Sequence, residues 1–229
     1  MDSLQYAYLL GALTLAPFWL IFYLVRKDTR RQMILMSVMI GLLSLATTHY
    51  WWTVDWWQSP TITGTKVGVE DFITGFFSGG IMAVAYEVLF SRRQYKLKNR
   101  GIAGPDVVKL LLFMAFSTSF LFWGVGLSSF WSSTIALLTS ATIIFYYRRD
   151  LLLNGVISGA LMVGISTASY FTITTVSPEW ASHAYKFDTL SGKLVSGIPV
   201  EEFIFWFLAG LFFGPLYEYS QGKKLRKHK

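Results

Sequence analysis

Gly68-Val69-Glu70-Asp71-Phe72-Ile73 and Pro199-Val200-Glu201-Glu202-Phe203-Ile204 carry the same signal 131 residues apart: an acidic pair opening an apolar run. At the same offset Tyr86-Glu87 recurs as Tyr217-Glu218. Ionisable groups are costly near lipid, so an acidic pair inside an apolar segment marks a candidate functional site. Its presence in both halves argues against chance.

The surrounding composition is that of an integral membrane protein. Of 229 residues, 53% are hydrophobic, 17% aromatic and only 14% charged. Apolar stretches reach the roughly 20 residues a bilayer requires. The pattern predicts seven helices, at 4–25, 33–52, 68–90, 107–126, 129–147, 152–174 and 199–219. The run from 107 to 147 is too long for one span, and Gly124-Val125-Gly126 is its natural turn. The first helix is followed by Arg26-Lys27-Asp28-Thr29-Arg30-Arg31, with no basic n-region and no small-residue cleavage site, and reads as retained rather than as a signal peptide.

Charge sets the expected orientation. A net +7 would suggest nucleic-acid binding in a soluble protein, but here the basic residues fall in short runs between apolar spans. With the N-terminus outside and the C-terminus inside, 17 of the 20 Lys and Arg residues lie inside, and only Lys66, Lys186 and Lys193 lie outside. That asymmetry follows the positive-inside rule, and six helices would break it. Trp51, Trp52, Trp56 and Trp57 are then expected at the outer boundary as an aromatic belt. Phe22-Tyr23-x-x-Arg26-Lys27-Asp28 resembles Phe145-Tyr146-Tyr147-Arg148-Arg149-Asp150, which extends the repeat. The expected fold is an all-α membrane protein whose seven transmembrane helices form two parallel three-helix repeats around a spacer (3+1+3). The units are 1–100, a linker helix 101–128, and 129–229. Both acidic pairs then lie at one membrane depth, toward the outer leaflet.

Each acidic pair has an ordinary explanation as the start of a helix. Pro199 suits a first turn, and acids there favour the positive end of the helix dipole. The duplication favours a chemical role. Adjacent residues point about 100° apart on a helix, so one acid of each pair faces the bundle interior and the other its rim. A carboxyl in apolar surroundings is held toward its neutral form, which makes a proton donor without a cofactor. Glu87 and Glu218, about 25 Å away at 1.5 Å per residue, are expected to form interfacial ion pairs with Arg92, Arg93, Lys223 and Lys224. Phe72, Phe76, Phe77, Phe203, Phe205, Trp206 and Phe207 share the acid-bearing helices, and rings beside an inward acid can stabilise a cation. Trp52-x-x-Asp55 and Tyr185-x-x-Asp188 precede the two acidic helices, a pattern that an outer loop turn explains equally well.

Several chemistries are excluded. There is no cysteine, hence no disulfide or thiolate site, and three scattered histidines have no metal-ligand spacing. His49 and His183 read as interfacial. No Asp-rich diphosphate motif and no dinucleotide fingerprint occur. The seventh helix lacks the lysine that a retinal Schiff base needs.

At the acidic pairs the chain resembles the integral-membrane lycopene cyclases of bacteria, archaea and fungi, in their tandem-fused form. The hallmark of that family is P-x-E-(E/D) at a helix start in each three-helix unit. Pro199-Val200-Glu201-Glu202 matches it fully, whereas Gly68 stands in the place of the proline before Glu70 and Asp71. The resemblance implies a non-redox β-cyclisation of a linear carotenoid, begun by a protein acid, with no cofactor and no metal. It implies Glu201 and Glu202 as donor and partner, Glu70 and Asp71 as base or completion of the site, and Phe72, Phe76, Phe203 and Trp206 against the substrate. Pro199 and Gly68 would shape the helix starts. The expected partners are a lipophilic carotenoid, membrane lipid and other enzymes of the carotenoid pathway, and no nucleic acid. The expected location is the cytoplasmic membrane of a prokaryote. A rival reading with the same 3+1+3 plan is a small SWEET-like transporter with proton-coupling carboxylates. Its weakness is the shortage of polar groups in the helix interiors.

Overall fold

A computed structural model describes residues 3–96 and 104–227. Lys98, Arg100 and Lys229, counted in the charge asymmetry, lie outside those residues, as does the start of the linker unit. Seven helices are long and apolar enough to cross a membrane: α1 Leu4–Val25, α2 Lys27–Asp55, α3 Val69–Leu89, α4 Val107–Gly124, α5 Ser129–Tyr147, α6 Arg149–Val176 and α7 Val200–Gln221. The split between α4 and α5 falls where the glycines predict it. Gly126 has φ +81°, and Ser128 caps α5.

Two ends differ from the sequence reading. α2 begins earlier, with a 3₁₀ turn over Lys27–Thr29, and finishes later, through a π-turn over Thr48–Trp52. The charged start enters the helix because Asp28 pairs with Arg26 at 2.8 Å. α6 opens the same way, on Arg149–Leu151, beside the Arg148–Asp150 pair.

α3 and α7 are the central helices, with 61% and 67% of their apolar windows buried against 11% for α4. α3 packs on α2, α1 and α6, and α7 packs on α6 and α5. The tightest seams run through glycine, as expected where lipid supplies no hydrophobic drive and close backbone approach does. A Cβ added at Gly79 would stand 2.9 Å from Met36 O, and one at Gly210 would stand 2.5 Å from Gly159 Cα.

Four short strands complete the described residues. β1 (Arg92–Lys96) pairs antiparallel with β4 (Lys223–Lys227), Gln94 opposite Leu225. β2 (Leu194–Val195) and β3 (Ile198–Pro199) form a small hairpin leading into α7. Arg26 donates to Arg92 O at 2.7 Å, and Arg148 donates to Lys223 O at 2.5 Å, so each loop arginine holds one strand of the ribbon.

Glu87 and Glu218 do not form the expected ion pairs. Both are fully buried and hydrogen-bonded to each other across the bundle. Gln32 Nε2 donates to Glu218 Oε1 at 2.9 Å, Gln94 Nε2 to the same oxygen at 2.9 Å, and Asn154 Nδ2 to Glu218 Oε2 at 3.3 Å. The basic side chains lie over tyrosine rings instead, Arg92 on Tyr86 and Lys223 on Tyr217. Chain direction explains the difference: the strands carry the cations away along the ribbon while the helix ends turn both acids inward. Glu218→Gln keeps a hydrogen-bonding group in this cluster and should melt close to wild type. Glu218→Leu leaves the buried Asn154 amide without its acceptor and takes one acceptor each from Gln32 and Gln94, and should cost about 1–3 kcal/mol, read as a lower thermal midpoint in detergent.

Candidate active site

At the opposite end of α3 and α7, the four acids of the repeated signal are buried, at 0% exposure for Glu70, 3% for Asp71 and 5% for both Glu201 and Glu202. The two members of each pair diverge, as their 100° separation requires. Glu70 Oε1 accepts from Ile62 N–H at 2.7 Å, and Glu201 Oε1 accepts from Ser191 N–H at 2.7 Å. These two carboxyls hold the loops that precede their helices. Asp71 and Glu202 instead line a shared internal cavity of about 260 Å³.

The two cavity acids have different surroundings. Asp71 Oδ2 accepts from Gly68 N–H at 2.8 Å, capping its own helix, while Oδ1 accepts from the Tyr8 hydroxyl at 3.0 Å and Thr48 Oγ1 at 3.4 Å. Glu202 has no equivalent cap, because Pro199 stands where Gly68 stands in the other copy and has no N–H. Its carboxyl takes a hydrogen bond from the Tyr170 hydroxyl, with Tyr185 and Trp206 beside it. Tyr185 donates to Tyr170 at 3.1 Å. Burial, reinforced by the adjacent Glu202 charge, pushes the Tyr185 hydroxyl well above the usual tyrosine range, so it stays a neutral donor. A Cβ at Gly68 would also press on the Glu70 and Thr61 side chains, which would have to shift.

The cavity wall is largely aromatic. Trp51, Trp52, Trp56, Trp57, Phe205, Trp206 and Phe213 contribute to it. Trp56 meets Phe205 edge to face at 5.0 Å, and Trp52 meets Phe205 at 5.2 Å. The expected outer belt is therefore partly internal: Trp56 is only 2% exposed. The π-turn at the end of α2 changes the direction of Trp51 and Trp52 relative to a regular helix, and such turns recur at functional sites. The indole N–H of Trp56 is buried without a partner, that of Trp206 is directed at the Glu202–Tyr170 pair, and both residues line the cavity.

Of the aromatics singled out from sequence, Trp206 lines the cavity and Phe72, Phe76 and Phe203 do not. Phe72 and Phe76 pack on each other at 5.9 Å, and Phe76 packs on Trp19 at 5.5 Å. Tyr8 and Tyr170 were not selected from sequence, and Tyr185 entered only through the Tyr185-x-x-Asp188 pattern, with no role at the acids. They sit on other elements, and only the fold brings them to the acids. Asp55 is structural, its two oxygens each 3.1 Å from Ser129 N–H at the start of α5. His183 bonds locally to Glu179 O and stays outside the cavity. No cluster of His, Cys, Asp and Glu among the described residues could hold a metal ion.

The fold is a bundle of helices able to span a membrane, with one acid from each half facing a ring-lined cavity. Residues 128–220, which contain α5 to α7 with Glu201 and Glu202, match the family model described as lycopene cyclase. The second half of the chain is thus similar to the lycopene cyclase family. No curated protein and no solved structure matched. The family match favours a cyclase over the transporter reading.

Proposed function

We propose that the protein is a carotenoid β-cyclase that closes the end groups of a linear carotenoid inside the membrane, with Glu202 as proton donor and Asp71 as base. The observation that carries this reading is the divergence of each acidic pair, which brings one carboxyl from each half into a single aromatic cavity. The two halves are read as parallel three-helix units about a pseudo-two-fold axis. The antiparallel pairing of Arg92–Lys96 with Lys223–Lys227, and the meeting of Glu87 with Glu218, support that reading.

The chemistry is balanced without an oxidant or reductant. The Glu202 acid O–H breaks as a C–H bond forms at the terminal double bond, leaving a tertiary carbocation. The electrons of the next reacting double bond form the ring C–C bond and move the positive charge into the ring. Asp71 takes a neighbouring ring proton, and that C–H pair becomes the ring double bond. The product is an isomer of the substrate. Aromatic faces oppose the transient cation, with attractions of about 2 kcal/mol or more when desolvated, and exclusion of water prevents its capture.

The helix cap supports this assignment of roles. Asp71 already accepts from a backbone N–H and two hydroxyls, which fits an acceptor. Glu202, free of the helix-capping duty, is available as the acid. Tyr170 positions it. Tyr170→Phe should reduce turnover about tenfold, in line with loss of one oriented hydrogen bond to an ionisable group at about 1.5 kcal/mol, with the protein still inserted and folded.

The function is tested by expressing the chain in a bacterium that accumulates lycopene and separating its pigments by chromatography. A one- or two-ring product is expected. Unchanged lycopene beside well-inserted protein would reject lycopene as substrate.

A further inference from the structure

The helices form an incomplete ring. α2 packs on α3, and α4 packs on α5, but α2 and α4 share no packed interface among the described residues. Yet both line the cavity: α2 through Leu43, Ala46 and Thr47, and α4 through Leu111, Met114 and Ala115. Ala46 borders the cavity and is solvent-accessible, and its five companions are half-buried. The cavity therefore reaches the lipid-facing surface between α2 and α4. The flanking surface is apolar, with Leu42 57% and Phe116 69% exposed. At this gap small and flexible side chains (Ala46, Ala115, Met114) stand where bulk would close it.

Size gives the second half of the argument. A cavity of about 260 Å³ lies just below the usual range for sites that enclose a drug-sized ligand, roughly 300–1,000 Å³. It can hold the end of a long polyene but not the chain. The remainder must lie elsewhere, and the only medium that meets this opening and dissolves a polyene is the bilayer.

Resting on the cyclase reading, we propose that the α2–α4 opening is a lateral portal through which a linear polyene inserts one end at a time from the bilayer. The tail stays in lipid while Glu202 and Asp71 act on the inserted end. Release, reversal and reinsertion must then separate the closure of the two ends, so a one-ring product leaves the protein before any two-ring product forms.

The test uses the full chain in phosphatidylcholine vesicles containing lycopene, with two readouts. Binding is followed by induced circular dichroism in the visible polyene band, which requires no turnover, and products are followed by chromatography. Ala46→Phe, Ala115→Phe and the double variant place rings in the portal. Leu20→Phe, on the exposed face of α1 away from the cavity, is the control. The double variant should lose the induced signal or need at least tenfold more lycopene to reach it, while Leu20→Phe matches wild type. Thermal midpoints confirm that all are folded. In wild type with excess lycopene, the one-ring product should accumulate first. A double variant that binds like wild type, or a wild type that gives no induced signal, overturns the portal. Two-ring product with no free one-ring species overturns insertion by single ends. Portal-dependent binding without any ring product leaves the portal standing and instead removes the cyclase reading for lycopene.

Discussion

Glu202→Gln should abolish ring formation, whereas Glu201→Gln should leave it near the wild-type level. The two residues are adjacent, equally buried and chemically alike, so composition and motif do not separate them. Geometry does. Glu201 accepts a backbone N–H from Ser191 at 2.7 Å, and a glutamine carbonyl can accept the same bond. Glu202 borders the cavity and carries Tyr170, and its replacement by an amide removes the acidic proton without removing volume. General acid catalysis contributes about 10²–10⁴-fold, so the loss should reach at least that order. Pigment chromatography at matched protein levels measures both variants. If Glu201→Gln were the inactive variant and Glu202→Gln the active one, the proton would come from the loop-holding acid and the cavity assignment would be wrong.

The same comparison in the other half has a different expected outcome. Asp71→Asn removes the proposed base, but Asn can still accept the Gly68 N–H that caps α3, so the protein should insert normally and turn over poorly. Gly68→Pro, which would restore the family motif, should instead damage folding. It deletes the N–H that Asp71 binds at 2.8 Å and drives a ring toward Thr61 and Glu70. The departure from the motif therefore marks a division of labour between the two helix starts.

That division was only partly legible in the sequence. Seven apolar runs were readable because each meets or comes within a residue or two of the bilayer requirement and the basic loops punctuate them. The acidic pairs were readable because charge is conspicuous in an apolar context, and their 100° divergence follows from helix geometry alone. Which member of each pair turns inward depends on helix rotation, fixed by the glycine seams with α2 and α6, and no local spacing states that. The placement of the tyrosines at the acids was not legible for a related reason. Tyr8, Tyr170 and Tyr185 come from α1, α6 and the loop before α7, and aromatic residues are abundant throughout the chain. Glu87 and Glu218 were misassigned because nearby cations in sequence were taken as neighbours in space, whereas the β1–β4 ribbon carries those cations past the acids.

Gly210→Leu should be the most destabilising of the substitutions considered. α6 and α7 approach so closely that a Cβ at Gly210 would stand 2.5 Å from Gly159 Cα, 2.6 Å from Gly159 N and 2.7 Å from the Ser158 carbonyl carbon. All three are backbone atoms, so no rotamer change relieves the clash, and the helices must separate. Overpacked side chains typically cost about 1–3 kcal/mol, and an obstruction made of backbone should exceed about 3 kcal/mol. Gly164→Leu is the matched control on the same seam's outer side. Nothing lies within 4 Å of its added Cβ, and loss of a mid-helix glycine should stabilise by up to about 1 kcal/mol. Thermal unfolding in detergent reads both. α7 also carries Glu202, Phe205 and Trp206, so even protein that survives insertion should cyclise slowly, since a displacement of about 1 Å at a reacting group can cost 10²-fold. A Gly210→Leu protein as stable as wild type would show that the α6–α7 seam is not what sets the rotation and depth of the acid-bearing helix.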